Sequence, residues 1–134
     1  MIEPYINING KADEAIAFYD SIFQCKSKKI FRLSDMPEIP GQTLPEEMKN
    51  LIGDSEIEIC GSIVHISDMM GDFMTQDGHI SLMIQFKSPE ELESVYEKLS
   101  EDGQILMALA PESFAKLYAW VKDKFGVGWQ LMFN

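Results

Sequence analysis

A chain of 134 residues with 46% hydrophobic and 25% charged residues has the composition of a soluble globular protein. It is one domain by length and can bury a core without staples. Its 22 acidic against 11 basic residues give a formal charge of −11, which argues against a nucleic-acid partner, because such affinity comes from Lys and Arg neutralising phosphates.

The N-terminus, Met1-Ile-Glu-Pro-Tyr, has no basic segment ahead of an apolar one, and the apolar runs are too short to span a bilayer. A cytoplasmic location with no membrane partner is therefore expected. Residues 4–9 alternate and stop at Gly10, predicting a strand with Ile6 and Ile8 on one face and Tyr5, Asn7 and Asn9 on the other. In 11–24, Ala12, Ala15, Ile16, Tyr19, Ile22 and Phe23 fall at three- and four-residue spacing, with Asp13 and Glu14 in the first turn, so a helix follows. Residues 28–33 read as a second strand. The stretch 34–50 carries Pro37, Pro40, Gly41 and Pro45, which interrupt regular structure, although Pro45 can open a short helical turn.

Residues 55–67 predict a hairpin turning at Cys60-Gly61, with Val64 and Ile66 on one face and Ile63, His65 and Ser67 on the other. The loop 68–78 contains Met69, Met70, Phe73 and Met74, too apolar for a bare solvated loop, and an interaction role for it is a third, weaker reading. His79 to Phe86 alternates again, placing His79, Ser81, Met83 and Gln85 together. Ser88-Pro-Glu-Glu then opens a helix with Ser88 as its cap and Gly103 beyond its end. A strand from Gln104 and a connection through Pro111 lead to a terminal hairpin, 118–134, whose turn uses Gly126 for a positive φ. In that hairpin Ala119, Val121, Trp129, Leu131 and Phe133 share the core face, and Tyr118, Trp120, Lys122, Gln130 and Met132 share the other. Cys25 and Cys60 form no metal-binding pair by spacing, and two reduced, mostly buried thiols are expected.

The order strand, helix, three strands occurs twice. Sliding the first half by 77 residues lays Ala12 on Pro89, Ala15 on Leu92, Tyr19 on Tyr96 and Ile22 on Leu99, a match of pattern more than of identity. The fold class is thus α+β: two tandem βαβββ modules, about 1–68 and about 79–134, forming cupped mixed sheets with the helices on the outer face. The inner face then collects Tyr5, Asn7, His65, Ser67, His79, Ser81, Met83, Tyr118, Trp120, Gln130 and Met132. Polar and aromatic together, it has the character of a small-molecule site.

Tyr5-Ile-Asn-Ile-Asn-Gly with Glu14-Ala-Ile-Ala-Phe-Tyr, Gly61-Ser-Ile-Val-His-Ile-Ser-Asp68 and Trp120-Val-Lys-Asp-Lys-Phe-Gly-Val-Gly-Trp129 carry a resemblance over nearly the whole chain. It is to the vicinal oxygen chelate superfamily of glyoxalase I, extradiol dioxygenases and bleomycin- and fosfomycin-resistance proteins, in its PhnB-like, 3-demethylubiquinone methyltransferase-like branch. The resemblance implies a glyoxalase-like fold, a homodimer with sites in the cupped sheets, and metal ligands on the first and last strands of each module. Those places fall at Pro4 or Tyr5, His65, His79 and Gln130, and none holds a carboxylate. Glyoxalase-type isomerisation in the superfamily uses a Glu there as the base.

Two chemistries follow. His65, His79 and Gln130 would hold a divalent Zn, Ni, Fe or Mn ion and serve a lyase, isomerase or dioxygenase. Alternatively the histidines are hydrogen-bonded cavity groups, and a small organic ligand is bound or sequestered by Tyr5, Asn7, Ser67, Ser81, Met83, Tyr118, Trp120 and Met132. Methyl transfer is not expected, since no glycine-rich loop between strand and helix offers a place for a nucleotide-like cofactor.

Overall fold

The computed structural model describes residues 1–37, 40–68 and 80–134. The chain forms two compact units, Met1–Thr75 and Gln76–Asn134, and each contains a four-stranded mixed sheet with one helix against a single face.

In the first unit the order is β1 (Tyr5–Ile8), α1 (Ala12–Phe23), β2 (Lys28–Arg32), β3 (Ile52–Ile59) and β4 (Ser62–Asp68). The strands lie in the order β1-β4-β3-β2. β1 and β4 run parallel, setting Tyr5 opposite His65 and Asn7 opposite Ser67; the other neighbours are antiparallel. Helix α1 buries Ala12, Ala15, Ile16, Tyr19 and Ile22, the stripe that its spacing predicts. Ile57, Ile59, Val64 and Ile66 of the sheet are equally buried, so alternation sends these side chains to the helix and their neighbours to the open face.

Lys11, at the start of α1, supplies no side-chain cap. Asp68, at the far end of β4, does so instead: its Oδ1 accepts from the Ala12 N–H at 3.0 Å and its Oδ2 from the Ile52 N–H at 2.9 Å. One carboxylate thereby satisfies an orphan donor of the helix and one of β3, at the end of the helix where negative charge is favoured.

The second unit repeats the plan with β5 (Ser81–Phe86), α2 (Pro89–Ser100), β6 (Gln104–Glu112), β7 (Ala115–Lys122) and β8 (Gly128–Phe133). Its strand order is β5-β8-β7-β6. β5 and β8 are parallel, with Ser81 opposite Gly128 and Met83 opposite Gln130. The two helices superpose in sequence at the shift of 77 residues at both ends, Ala12 on Pro89 and Phe23 on Ser100. Ala15 and Leu92, and Ile22 and Leu99, are buried pairs at that shift. Here the cap is local, for the Ser88 hydroxyl accepts from the Glu91 N–H at 3.2 Å.

Some boundaries differ from expectation. β3 begins at Ile52, where Asp68 receives its N–H. β6 continues through Pro111 to Glu112; it lies at the sheet edge and its register with β7 shifts three times, and an edge strand tolerates a residue with no N–H to donate. β7 accordingly starts at Ala115. Cys60 is exposed instead of buried, because Cys60 and Gly61, with φ of 50° and 84°, are the two tip residues of the β3–β4 turn. The strand expected from His79 begins at Ser81, and the Met-rich stretch 69–74 lies outside the described residues. No helix among the described residues is long and apolar enough to cross a membrane.

The β7–β8 turn is built on Asp123, which is only 3% exposed. Its Oδ1 accepts from the N–H groups of Phe125 and Val127 at 2.9 and 3.0 Å, and its Oδ2 accepts from the Trp129 indole at 2.8 Å. Gly126 supplies φ of 89° at the tip. Asp123→Ala removes the acceptor of these three N–H groups, one of them on the core tryptophan, and is expected to destabilise the protein by about 3 kcal/mol. Urea unfolding checks this: the midpoint should fall with little change in slope.

Candidate functional site

The residues that face away from the helices form two groups, one on each sheet. On the first, the parallel seam between β1 and β4 sets the Tyr5 ring flat against His65, with ring centroids 5.3 Å apart and planes within 7°. Asn7 Oδ1 accepts from the Ser67 hydroxyl at 3.2 Å. Ser67 is buried whereas Tyr5 is half exposed.

His65 has carboxylates on both ring nitrogens. Nε2 lies 2.7 Å from Glu3 Oε2, and Nδ1 lies 3.1 Å from Asp54 Oδ1. The hydrogen bond with Glu3 first, and that with Asp54 second, raise the imidazole above its ordinary range, against a smaller opposing effect of burial. The arrangement suits an imidazolium donating one N–H to each carboxylate.

On the second sheet a relay crosses three strands. The Tyr118 hydroxyl on β7 donates to Gln130 Oε1 on β8 at 2.6 Å, and Gln130 Nε2 donates to Ser81 Oγ on β5 at 2.7 Å. Tyr118 is 5% exposed, with the Phe114 ring edge-on at 5.0 Å. Burial, aided by the Glu112 carboxylate, pushes its phenol up, so it stays protonated and able to donate. Trp120 stands opposite Gln130 in the β7–β8 register, and Met132 opposite Tyr118. Met83 is half exposed on the same face. Beside the relay lies a cavity of about 160 Å³ lined by Ile80, Ser81, Gln104, Leu106, Trp120, Lys122, Gly126 and Gly128. It contains an aromatic surface, a cation, an amide and a hydroxyl, and its size suits a metabolite, below the roughly 300–1,000 Å³ of drug-sized sites.

The residues expected to hold a metal are met differently. His79 lies outside the described residues. A ligating imidazole needs one bare nitrogen, with a hydrogen-bond partner for the other; both nitrogens of His65 are engaged by carboxylates. The Gln130 carbonyl is held by Tyr118 and its amide by Ser81. Among the described residues no group of three His, Cys, Asp or Glu side chains is placed to hold a metal ion, so His65 and Gln130 as arranged do not fit one.

Sequence reasoning missed Glu3 and Asp54 around His65, because nothing local marks carboxylates 62 and 11 residues away as its partners. Alternation puts Lys122 on the face that lines the cavity but marks no role for it, and Gln104 and Leu106 enter the cavity only through the pairing of β6 with β7.

Comparison with known proteins follows the same lines. The family described as 3-demethylubiquinone-9 3-methyltransferase matches residues 1–132. Protein YjdN of Escherichia coli K12 is 25% identical over 136 residues, covering 97% of this chain and 92% of that protein. A structure from Bacillus cereus described as a putative 3-demethylubiquinone-9 3-methyltransferase, PhnB protein, is 28% identical with a TM-score of 0.77, covering 99% of this chain and 98% of that one. A mutant of the fosfomycin resistance protein FosX from Listeria monocytogenes, complexed with Mn(II) and dihydroxypropylphosphonic acid, is 13% identical with a TM-score of 0.64, covering 98% and 90%. At that identity the likeness is one of fold.

The geometry around His65 predicts that its imidazole titrates above the ordinary value near 6.5. Because the folded-state value is raised, the stability it contributes is complete below the unfolded value and is lost as pH rises through the folded one. NMR titration of the ring protons should show the raised value, and Glu3→Gln should lower it more than Asp54→Asn does. An unshifted His65 in the intact protein would remove the bridging arrangement.

Proposed function

The chain belongs to the 3-demethylubiquinone-9 3-methyltransferase family, a PhnB-like branch of the vicinal oxygen chelate superfamily with the glyoxalase-like fold, and from that premise we propose that it binds a small organic molecule. The ligand rests on the open sheet faces of a homodimer, in the manner of a binding or sequestering protein of the resistance type. One observation carries the reading: the Tyr118–Gln130–Ser81 relay, with its hydrogen-bond directions fixed, borders a cavity that also offers Trp120 and Lys122. A preset line of polar groups beside an apolar, aromatic wall is how a concave site orients a small ligand.

On this reading Trp120 stacks on a flat part of the ligand. Gln130, its amide already held at both ends, contributes orientation, while the Ser81 hydroxyl, accepting from Gln130, turns its own proton toward the ligand. Met83 and Met132 give the face an adaptable apolar surface. Tyr5, Asn7 and Ser67 play the corresponding part on the first sheet, with His65 holding charge instead of a metal. The homodimer is supported by the apolar side chains of edge strand β6, where Ile105, Leu106 and Met107 are 51, 43 and 38% exposed, more than a monomer's edge strand ordinarily leaves to solvent.

The alternative, a divalent-metal lyase, isomerase or dioxygenase using His65, His79 and Gln130, draws on the Mn(II) complex of FosX. Against it stand the two carboxylates on His65 and the hydrogen bonds that hold the Gln130 amide to Tyr118 and Ser81. The Met-rich stretch 69–74 as a protein-contact surface has no structural observation behind it.

Thermal-shift screening of tag-free protein against a metabolite library, followed by calorimetry on the hits, tests the proposal. A ligand should bind undiminished in the presence of a chelator. Trp120→Ala and Gln130→Ala should each weaken it by roughly tenfold or more, about 1.4 kcal/mol, while His65→Ala leaves metal content unchanged. Stoichiometric metal that disappears with His65→Ala would favour the enzyme instead. Light scattering across a wide concentration range should report twice the chain mass, and a monomer throughout would remove the dimer.

A further inference from the structure

The register of the first sheet brings together two side chains that the binding site does not use. β2 and β3 are antiparallel, with Lys29 opposite Glu56 and Lys28 opposite Ile57. The pairing extends one step past the end of β2, where the Glu58 N–H donates to the Ser27 carbonyl at 3.0 Å. The ladder ends there; two residues beyond that contact on each chain segment stand Cys25, just after α1, and Cys60, at the tip of the β3–β4 turn. Opposed Cα atoms of such a ladder lie about 4.5–5.5 Å apart, a separation comparable with the roughly 4.4–6.8 Å that a disulfide spans, and both cysteines follow directly from the ladder's end. Neither cysteine is in a disulfide in the structure.

We propose that Cys25 and Cys60 are a redox pair that closes into a reversible intrachain disulfide, with a low-molecular-weight disulfide such as glutathione disulfide as the oxidant. Their surroundings divide the roles. Cys60 is exposed at the tip of the β3–β4 turn, with φ of 50°, where a reagent reaches it freely. Cys25 is half-buried just after α1, and its backbone N–H is held by Asp20 Oδ1 at 3.0 Å. Burial first, then the Asp20 carboxylate, pushes its thiol up, and Cys60 adds to the same effect, which places the two sulfurs within electrostatic reach of each other.

The chemistry balances on those roles. The Cys60 thiolate attacks one sulfur of glutathione disulfide, forming a mixed disulfide and expelling one glutathione thiolate. Cys25 gives its proton to solvent and attacks the Cys60 sulfur, releasing the second glutathione. Two protein thiols are oxidised to one disulfide, and glutathione disulfide is reduced to two glutathiones. The bond ties the end of α1 to the β3–β4 turn, a link within the first unit that leaves the Tyr118–Gln130–Ser81 relay untouched.

Intact mass spectrometry tests this on the full chain, reduced, exposed to glutathione disulfide and quenched in acid. The expected product is lighter by two hydrogens and carries no glutathione. Proteolysis should yield one fragment pair joined through Cys25 and Cys60, and dithiothreitol should restore both thiols. Closure should run roughly tenfold or more faster in the folded chain than in urea, because the fold holds the thiols together. Cys25→Ser should instead retain one glutathione on Cys60. Glutathione left on both cysteines of the unmutated protein, a disulfide between two chains, or equal rates with and without urea would overturn the proposal, and none of these readings depends on a variant folding.

Discussion

Each half of this protein depends on one constraint, the parallel pairing of its first strand with its last. Parallel neighbours cannot be joined by a tight turn, so β1 reaches β4, and β5 reaches β8, only after a helix and two further strands have been laid down. The pairing costs chain length and yields proximity. Tyr5 meets His65 and Asn7 meets Ser67 across the first seam; Ser81 meets Gly128 and Met83 meets Gln130 across the second. Most residues proposed for the site stand on one of these seams, and the face they present is the one that the helix leaves uncovered.

Two carboxylates lock the ends of this plan. Asp68 terminates β4 and joins the start of α1 to the start of β3, so the seam and the helix are positioned by the same side chain. Asp123 gathers the β7–β8 turn and the Trp129 indole, which fixes the β7–β8 register and with it the position of Gln130 between Tyr118 and Ser81. Both are acidic residues in a strongly acidic chain, where sequence alone does not set them apart from solvated surface. Their roles come from being enclosed by N–H donors.

The elements and their faces were legible because alternation and three- to four-residue spacing report burial directly: the stripes of α1 and α2 and the core sides of β4, β7 and β8 follow from them. The repeat was legible because both helices present the same stripe at one shift. The environment of His65 was not, since Glu3 and Asp54 reach it through tertiary placement that no spacing encodes. Nor was the length of β6, because Pro111 reads as a break unless the strand is known to lie at an edge. Cys60 departs from expectation for a related reason: a small apolar thiol is usually buried, but here it occupies the tip of a two-residue turn. The family resemblance points to His65 and Gln130 as positions of interest, and the structure shows both ring nitrogens of His65, and the oxygen and nitrogen of the Gln130 amide, each in contact with a neighbouring side chain.

The central claim is that this open face recognises a small molecule through hydrogen bonds and aromatic contact, without a metal. The most direct measurement is proton–nitrogen NMR of the labelled protein titrated, in the presence of a chelator, with the small-molecule fraction of a cell extract. The account predicts shifts concentrated in the Trp120 indole, the Gln130 side-chain amide and the backbone of Ser81 and Gly128. Spectra unchanged by the extract until a divalent metal replaces the chelator would contradict it.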